Sequence, residues 1–282
     1  MQEWWQHLPE TLHPIAFTIG FFSVYWYAVW FLLGFFVTLV LALWFARRGM
    51  TAYSGETVVD ICLVLFFGAV LGGRLGYVLF YHPDVFLAAP YAIVLPYDFA
   101  HGVWIGISGM SYHGGLIGAA FGLLWFARKR RIPFWQAADF VALLAPIAVF
   151  FGRLGNFFNV ELAGRVTEQP WGMLFPGMLP EGALRHPSAL YEALVEGVAL
   201  FIILIFLKRF VRTDGYLASW YLALYAIARF VAECFREPDP QLGLFFGVLS
   251  MGQILSLAMF AAAGVIFLWL RRQNYAKIIQ NS

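Results

Sequence analysis

Residues 21–45 read FFSVYWYAVWFLLGFFVTLVLALWF, a run without a single Asp, Glu, Lys, Arg or His. About 20 apolar residues are what a helix needs to cross roughly 30 Å of hydrocarbon. Six further apolar runs follow, at about 58–81, 103–127, 135–152, 190–207, 216–235 and 247–270. The composition agrees with them: of 282 residues 62% are hydrophobic, 19% aromatic and 12% charged, with mean hydropathy +0.75. Soluble domains carry about 25% charged residues, and 18 basic with 16 acidic side chains cannot cover a soluble enzyme of this length. A net charge of +2 offers no basic stripe for nucleic acid, and the apolar excess excludes intrinsic disorder. The expected fold is therefore an all-α membrane protein of about seven transmembrane helices, with residues 1–282 forming a single transmembrane domain.

Lysine and arginine orient the spans, because cytoplasmic loops collect them. Alternate gaps hold Arg47 and Arg48; Arg128, Lys129, Arg130 and Arg131; Lys208, Arg209 and Arg212; and Arg271, Arg272 and Lys277. The opposite side receives Arg153, Arg165, Arg185 and Arg236 and no lysine, while Arg74 and Arg229 lie within spans. The N-terminus is thus expected outside and the C-terminus in the cytoplasm. Glu3 and Glu10 precede the first basic residue, so the basic start of a cleavable signal peptide is missing and the first run is expected to stay. Two outer segments are long. Residues 82–102, aromatic with two prolines, suit an interfacial arm, and residues 153–189 suit a small outer cap.

Polar residues inside an apolar background carry the information, because an ionisable group in a span usually faces a protein interior or a wet cavity. Arg229 and Glu233 are four apart on the sixth run and share a helix face. They serve either a site or merely each other's neutralisation. Arg74 stands in Gly72-Gly73-Arg74-Leu75-Gly76-Tyr77, where glycines permit close helix approach and the arginine can snorkel outward. Arg153 opens a polar, glycine-rich stretch to Arg165, expected as irregular backbone at the membrane surface just beyond the fourth run. His113 falls about ten residues into the third run, roughly 15 Å deep at 1.5 Å per residue. It is either a satisfied interior hydrogen-bonder or a base, its ordinary pKa near 6.5 suiting neutral pH. Gly114, Gly118 and Gly122 beside it form a packing stripe.

Three arginines in the outer half of the bilayer favour a phospholipid phosphate, since guanidinium forks match phosphate oxygens. They do not name a reaction. Cys62 and Cys234 make neither a disulfide framework nor a zinc site, no cluster offers three metal ligands, and HExxH and Gly-x-Ser-x-Gly are absent.

The stretch Gly152-Arg153-Leu154-Gly155-Asn156-Phe157-Phe158-Asn159-Val160-Glu161-Leu162-Ala163-Gly164 resembles the signature Gly-Arg-x-Gly-Asn-Phe-x-Asn-x-Glu-x-x-Gly of the prolipoprotein diacylglyceryl transferases. Further stretches are similar to the same family: Gly72 to Tyr81, Ser111 to Gly115, His186 to Glu192, Arg229 to Glu233, Phe235 to Asp239, and Ser250-Met251-Gly252-Gln253-Ile254. The resemblance runs in family order over nearly the whole chain. It implies a multi-pass enzyme of the bacterial inner (cytoplasmic) membrane that needs no metal or organic cofactor. Such an enzyme moves the diacylglyceryl group of phosphatidylglycerol onto the lipobox cysteine thiol of a preprolipoprotein and releases glycerol-1-phosphate, the first step of lipoprotein maturation.

The resemblance also implies roles. Arg153 and Arg229 would hold the lipid phosphate and stabilise its charge as it leaves. His113 is similar to the histidine proposed as base for the incoming thiol. Asn156, Asn159, Glu161, Gly164 and Glu233 would shape the site, with Arg74 and Arg236 joining them in binding substrate. Tyr27, Tyr77, Tyr81 and Tyr225 would line the lipid pocket. One departure stands in the first run, where many relatives read His-Trp-Tyr-Gly and this chain has Tyr25-Trp26-Tyr27-Ala28. The competing reading is a phospholipid transporter or flippase that uses the same arginines without chemistry. A scaffold that only binds prolipoproteins would leave His113 and the arginines unexplained.

Overall fold

The computed structural model describes residues 2–20, 22–81, 97–98, 103–104, 110–238, 243–245 and 247–280. It is mostly helical. Two short helices, α1 (Gln2–Gln6) and α2 (Leu8–Thr11), precede strands β1 (Ile15–Ile19) and β2 (Phe22–Tyr25). The long helices follow: α3 (Trp26–Arg47), α4 (Gly55–Tyr81), α5 (Tyr112–Arg130), α6 (Phe134–Phe158), α7 (Ser188–Lys208), α8 (Tyr216–Glu233) and α9 (Met251–Gln280). Among the described residues, five of these are long and apolar enough to cross a membrane: α3, α4 over Gly55–Leu79, α6, α7, and α9 over Met251–Tyr275. Many of their outward side chains are apolar, Phe36, Val40, Leu71, Ile202 and Val265 being more than half exposed. Water would penalise that surface and lipid would not.

Short two-stranded pairings amend the all-α expectation: β1 with β2, β3 (Tyr97–Asp98) with β4 (Val103–Trp104), and β5 (Met173–Leu174) with β6 (Leu184–Arg185). Apart from Tyr97–Asp98, the expected arm at 82–102 lies outside the described residues.

The chain forms two compact units. In the second, residues 17–24 and 35–137, α4 and α5 pack backbone to backbone. A Cβ on Gly118 would stand 2.1 Å from the Gly68 carbonyl oxygen, and one on Gly114 2.3 Å from that of Gly72. Only glycine permits that approach, so the stripe on α5 meets glycines at the same spacing on α4. The start of α5 corrects the depth expected for His113. Ser111 is the N-cap, its Oγ accepting from the Gly114 N–H at 3.2 Å. His113 therefore sits in the first helical turn, exposed, rather than ten residues along.

The first unit comprises residues 1–16, 25–34 and 138–282. Here α6 extends the fourth run by six residues to Phe158 and carries a buried Pro146 within it. Asp139, inside the fourth apolar run, caps α8: its carboxylate accepts from the Gly215 and Ala218 N–H groups, each at 2.7 Å. Residues 193–199 of α7 are π-helical, a form that concentrates at functional sites. The cap proper begins after Phe158. Phe157, Ala163, Met173, Phe175 and Ala189 form its small core, covered by Trp5, Leu8 and Leu12 from the N-terminus.

Candidate active site

Five side chains of the first unit form one ion cluster, with a sixth at its edge. Arg153, on the last turns of α6, points at α7: its Nη1 is 2.7 Å from Glu192 Oε2, and its Nε and Nη2 donate to Glu196 Oε2 at 3.2 and 3.0 Å. Arg229 of α8 reaches the same two acids, at 3.0 Å to Glu192 and 3.4 Å to Glu196, and pairs through Nη2 with Glu233 one turn on. Arg236 adds a contact of 3.6 Å to Glu192 Oε1. Glu192 and Glu196 are wholly buried, whereas the side chains of Arg153 and Arg229 keep 14% of their surface exposed. The acids thus lie behind and the arginines face outward. The buried carboxylates fix both guanidinium forks.

This arrangement corrects the irregular backbone expected from residue 152. Arg153 and Asn156 are helical, and irregular chain begins only at Asn159. Hydropathy falls at Arg153, but Glu192 and Glu196 neutralise it and α6 continues.

A second polar cluster lies beyond. Glu161 accepts from Asn156 Nδ2 at 3.0 Å and from Asn159 Nδ2 at 3.1 Å, and Asn159 Oδ1 accepts from the Tyr27 N–H at 3.1 Å. Val160 and Leu162 flank Glu161 at φ 58°, a left-handed conformation costly for a β-branched residue. The double kink holds the Glu161 carboxylate on its two asparagines. Gly164 is structural in a specific sense. Its N–H donates to the His186 carbonyl at 2.9 Å, and a Cβ would stand 2.5 Å from that oxygen and 2.6 Å from the Phe235 carbonyl oxygen. Arg185, buried, donates to the Gly164 carbonyl at 2.9 Å and pairs with Glu237 at 3.1 Å. Beside it, His186 Nδ1 is 3.1 Å from the Tyr191 hydroxyl, and burial holds the imidazole below its ordinary pKa.

Arg153, Arg229, Glu233 and Arg236 are therefore brought together, as are Tyr27, Asn156, Asn159 and Glu161. Tyr225 is buried on α8 with its ring centroid 5.8 Å from that of Tyr221. Arg74, Tyr77 and His113 belong to the second unit, where Arg74 and Tyr77 are half-buried on α4 and Tyr81 ends that helix. Sequence reasoning missed Glu192 and Glu196 as site residues. The signal was present: two acids four apart inside an apolar run, the pattern that singled out Arg229 and Glu233.

Residues 14–269 match the family model described as prolipoprotein diacylglyceryl transferase. Similar proteins named phosphatidylglycerol–prolipoprotein diacylglyceryl transferase occur in bacteria, among them the following three. The Wolinella succinogenes protein is 44% identical over 277 residues, 98% of this chain and 99% of the relative. That of Vibrio vulnificus is 46% identical over 272 residues, 95% and 96% of the two chains. That of Chlorobaculum tepidum is 41% identical over 272 residues, 96% and 94% of the two chains.

Proposed function

The chain belongs to the prolipoprotein diacylglyceryl transferase family, and from that membership we propose that it transfers the diacylglyceryl group of phosphatidylglycerol to the lipobox cysteine of a preprolipoprotein. Family membership sets aside the transporter reading, which the arginines alone left open. The bacterial relatives support placement in the inner membrane. The Lys and Arg distribution supports an outside N-terminus and seven spans, in which α5 and α8 join the five apolar helices.

One observation carries the site: the outward edges of Arg153 and Arg229, held by buried Glu192 and Glu196. The lipid phosphate docks on these edges. Thiolate sulfur attacks the glycerol carbon, a C–S bond forms, the C–O bond to phosphate breaks, and its electron pair leaves with glycerol phosphate. The guanidiniums face the oxygens where negative charge grows, and their fixed backing means that little reorganisation is needed as it does. Glu161, Asn156, Asn159 and Gly164 shape the neighbouring wall. Free cysteine has a pKa of about 8.5, so the thiol needs a base; the family resemblance assigns that role to His113 and a part in substrate binding to Arg74, Tyr77 and Tyr81. Tyr27, Tyr225 and Arg236 complete the substrate-binding set.

The test mixes purified protein in detergent with phosphatidylglycerol and a lipobox peptide and reads the peptide's mass. A gain of one diacylglyceryl group with release of glycerol phosphate is expected; an unchanged mass would overturn the proposal.

A further inference from the structure

Glu233 anchors Arg229, and its second oxygen is held by a motif to which the reaction assigns no task. Ser250-Met251-Gly252-Gln253 opens α9 as a capping box: Ser250 Oγ accepts from the Gln253 N–H at 3.2 Å, and Gln253 Oε1 accepts from the Ser250 N–H at 3.0 Å. A capping serine needs only to accept. Here its hydroxyl also donates to Glu233 Oε1 at 3.0 Å, while Glu233 Oε2 pairs with Arg229. Gly252 presses on the same carboxylate: a Cβ there would lie 2.6 Å from Glu233 Cδ and 2.7 and 2.8 Å from its two oxygens. Ser250, Gln253 and Glu233 are all buried.

We propose that Ser250, Gly252 and Gln253 are positioning residues for diacylglyceryl transfer. The first turn of α9 clamps the Glu233 carboxylate in one rotation about its terminal bond, and Glu233 in turn aims Arg229 at the lipid phosphate. A terminal carboxylate torsion is otherwise broad, and small misplacements of a binding fork are costly in rate. The inference rests on the transferase reading above and deepens it.

The test follows kcat and KM for phosphatidylglycerol in the peptide lipidation assay, together with the melting temperature of each variant. Ser250→Ala is expected to lower kcat about tenfold, the scale of one hydrogen bond to a charged group, and Ser250→Thr to recover most of it. Ser250→Asp still caps the helix but offers Glu233 no donor, so it is expected to match Ser250→Ala or fall below it. Gly252→Ala, which drives a methyl group into the carboxylate, is expected to lose more. In a Glu233→Leu background, which leaves the Ser250 hydroxyl no acceptor there, Ser250→Ala is expected to cost about twofold or less, because both changes act through one contact.

Wild-type kcat in Ser250→Asp, or an undiminished Ser250→Ala effect in the Glu233→Leu background, would overturn the clamp. Should Glu233→Leu leave too little rate to measure, the Ser250→Asp comparison alone decides. Failure of the unmodified enzyme to lipidate the peptide would instead sink the transferase reading. An active enzyme whose Ser250 variants match it would sink only the clamp.

Discussion

Arg153 contacts two glutamates and Arg229 three, and Glu192 touches three guanidiniums. Removing one partner of a buried ion cluster strands the others without water, at about 3–5 kcal/mol. Glu192→Ala should therefore lower the stability of the folded protein by about that much, read from thermal or denaturant unfolding in detergent. Arg229→Lys keeps the charge and most of the fold but loses the planar fork. Its expected signature is a loss of lipidation of about a hundredfold or more with a near-normal melting temperature; retained turnover would remove Arg229 from the phosphate clamp. His113→Gln should slow lipidation most near pH 7. The deficit should narrow as pH rises toward the free thiol's pKa of about 8.5, where thiolate forms unaided; a constant deficit would argue against a base. Burial lowers the His186 pKa. The folded state therefore favours the neutral ring, and its contribution to stability is intact above the unfolded value of about 6.5 and declines as pH falls below it. An NMR titration should place its midpoint beneath 6.5.

Helix pairs in this protein are held by two different devices. The α4–α5 seam is backbone on backbone, and no side chain larger than hydrogen fits at Gly118. In contrast, Gly264 on α9 has nothing within 4 Å of where a Cβ would stand. Gly118→Ala should destabilise by about 1–3 kcal/mol through overpacking, whereas Gly264→Ala should be neutral or stabilising by up to about 1 kcal/mol from helix propensity. Equal melting shifts for the two variants would contradict the seam. The other device is a polar side chain satisfying a polar group of a neighbouring helix: Asp139 of α6 on the first turn of α8, and Ser250, just before α9, on Glu233 at the end of α8. Both let a helix carry polar groups in an apolar setting because each N–H or carboxylate has a partner.

Across the molecule, apolar side chains cover the outsides of the long helices while charge is drawn inward or to the ends, the reverse of a soluble protein. With Cys62 and Cys234 replaced, a cysteine at Thr11 should react with an impermeant thiol reagent from outside and one at Gln273 only from the cytoplasm. The opposite pattern would overturn the topology read from Lys and Arg. Hydropathy and charge are sums over neighbouring residues, so the membrane class, most of the spans and the signature Gly152 to Gly164 could be read along the chain. The Arg229–Glu233 pair was legible for the same reason, one helical turn separating its members. The end of α6, the depth of His113 and the backing of Arg153 could not be read that way. Glu196 stands 43 residues from Arg153, and no local property says that two such residues meet. Burial makes them meet, because a guanidinium kept from water must find a carboxylate, and the packing of α6, α7 and α8 brings it one.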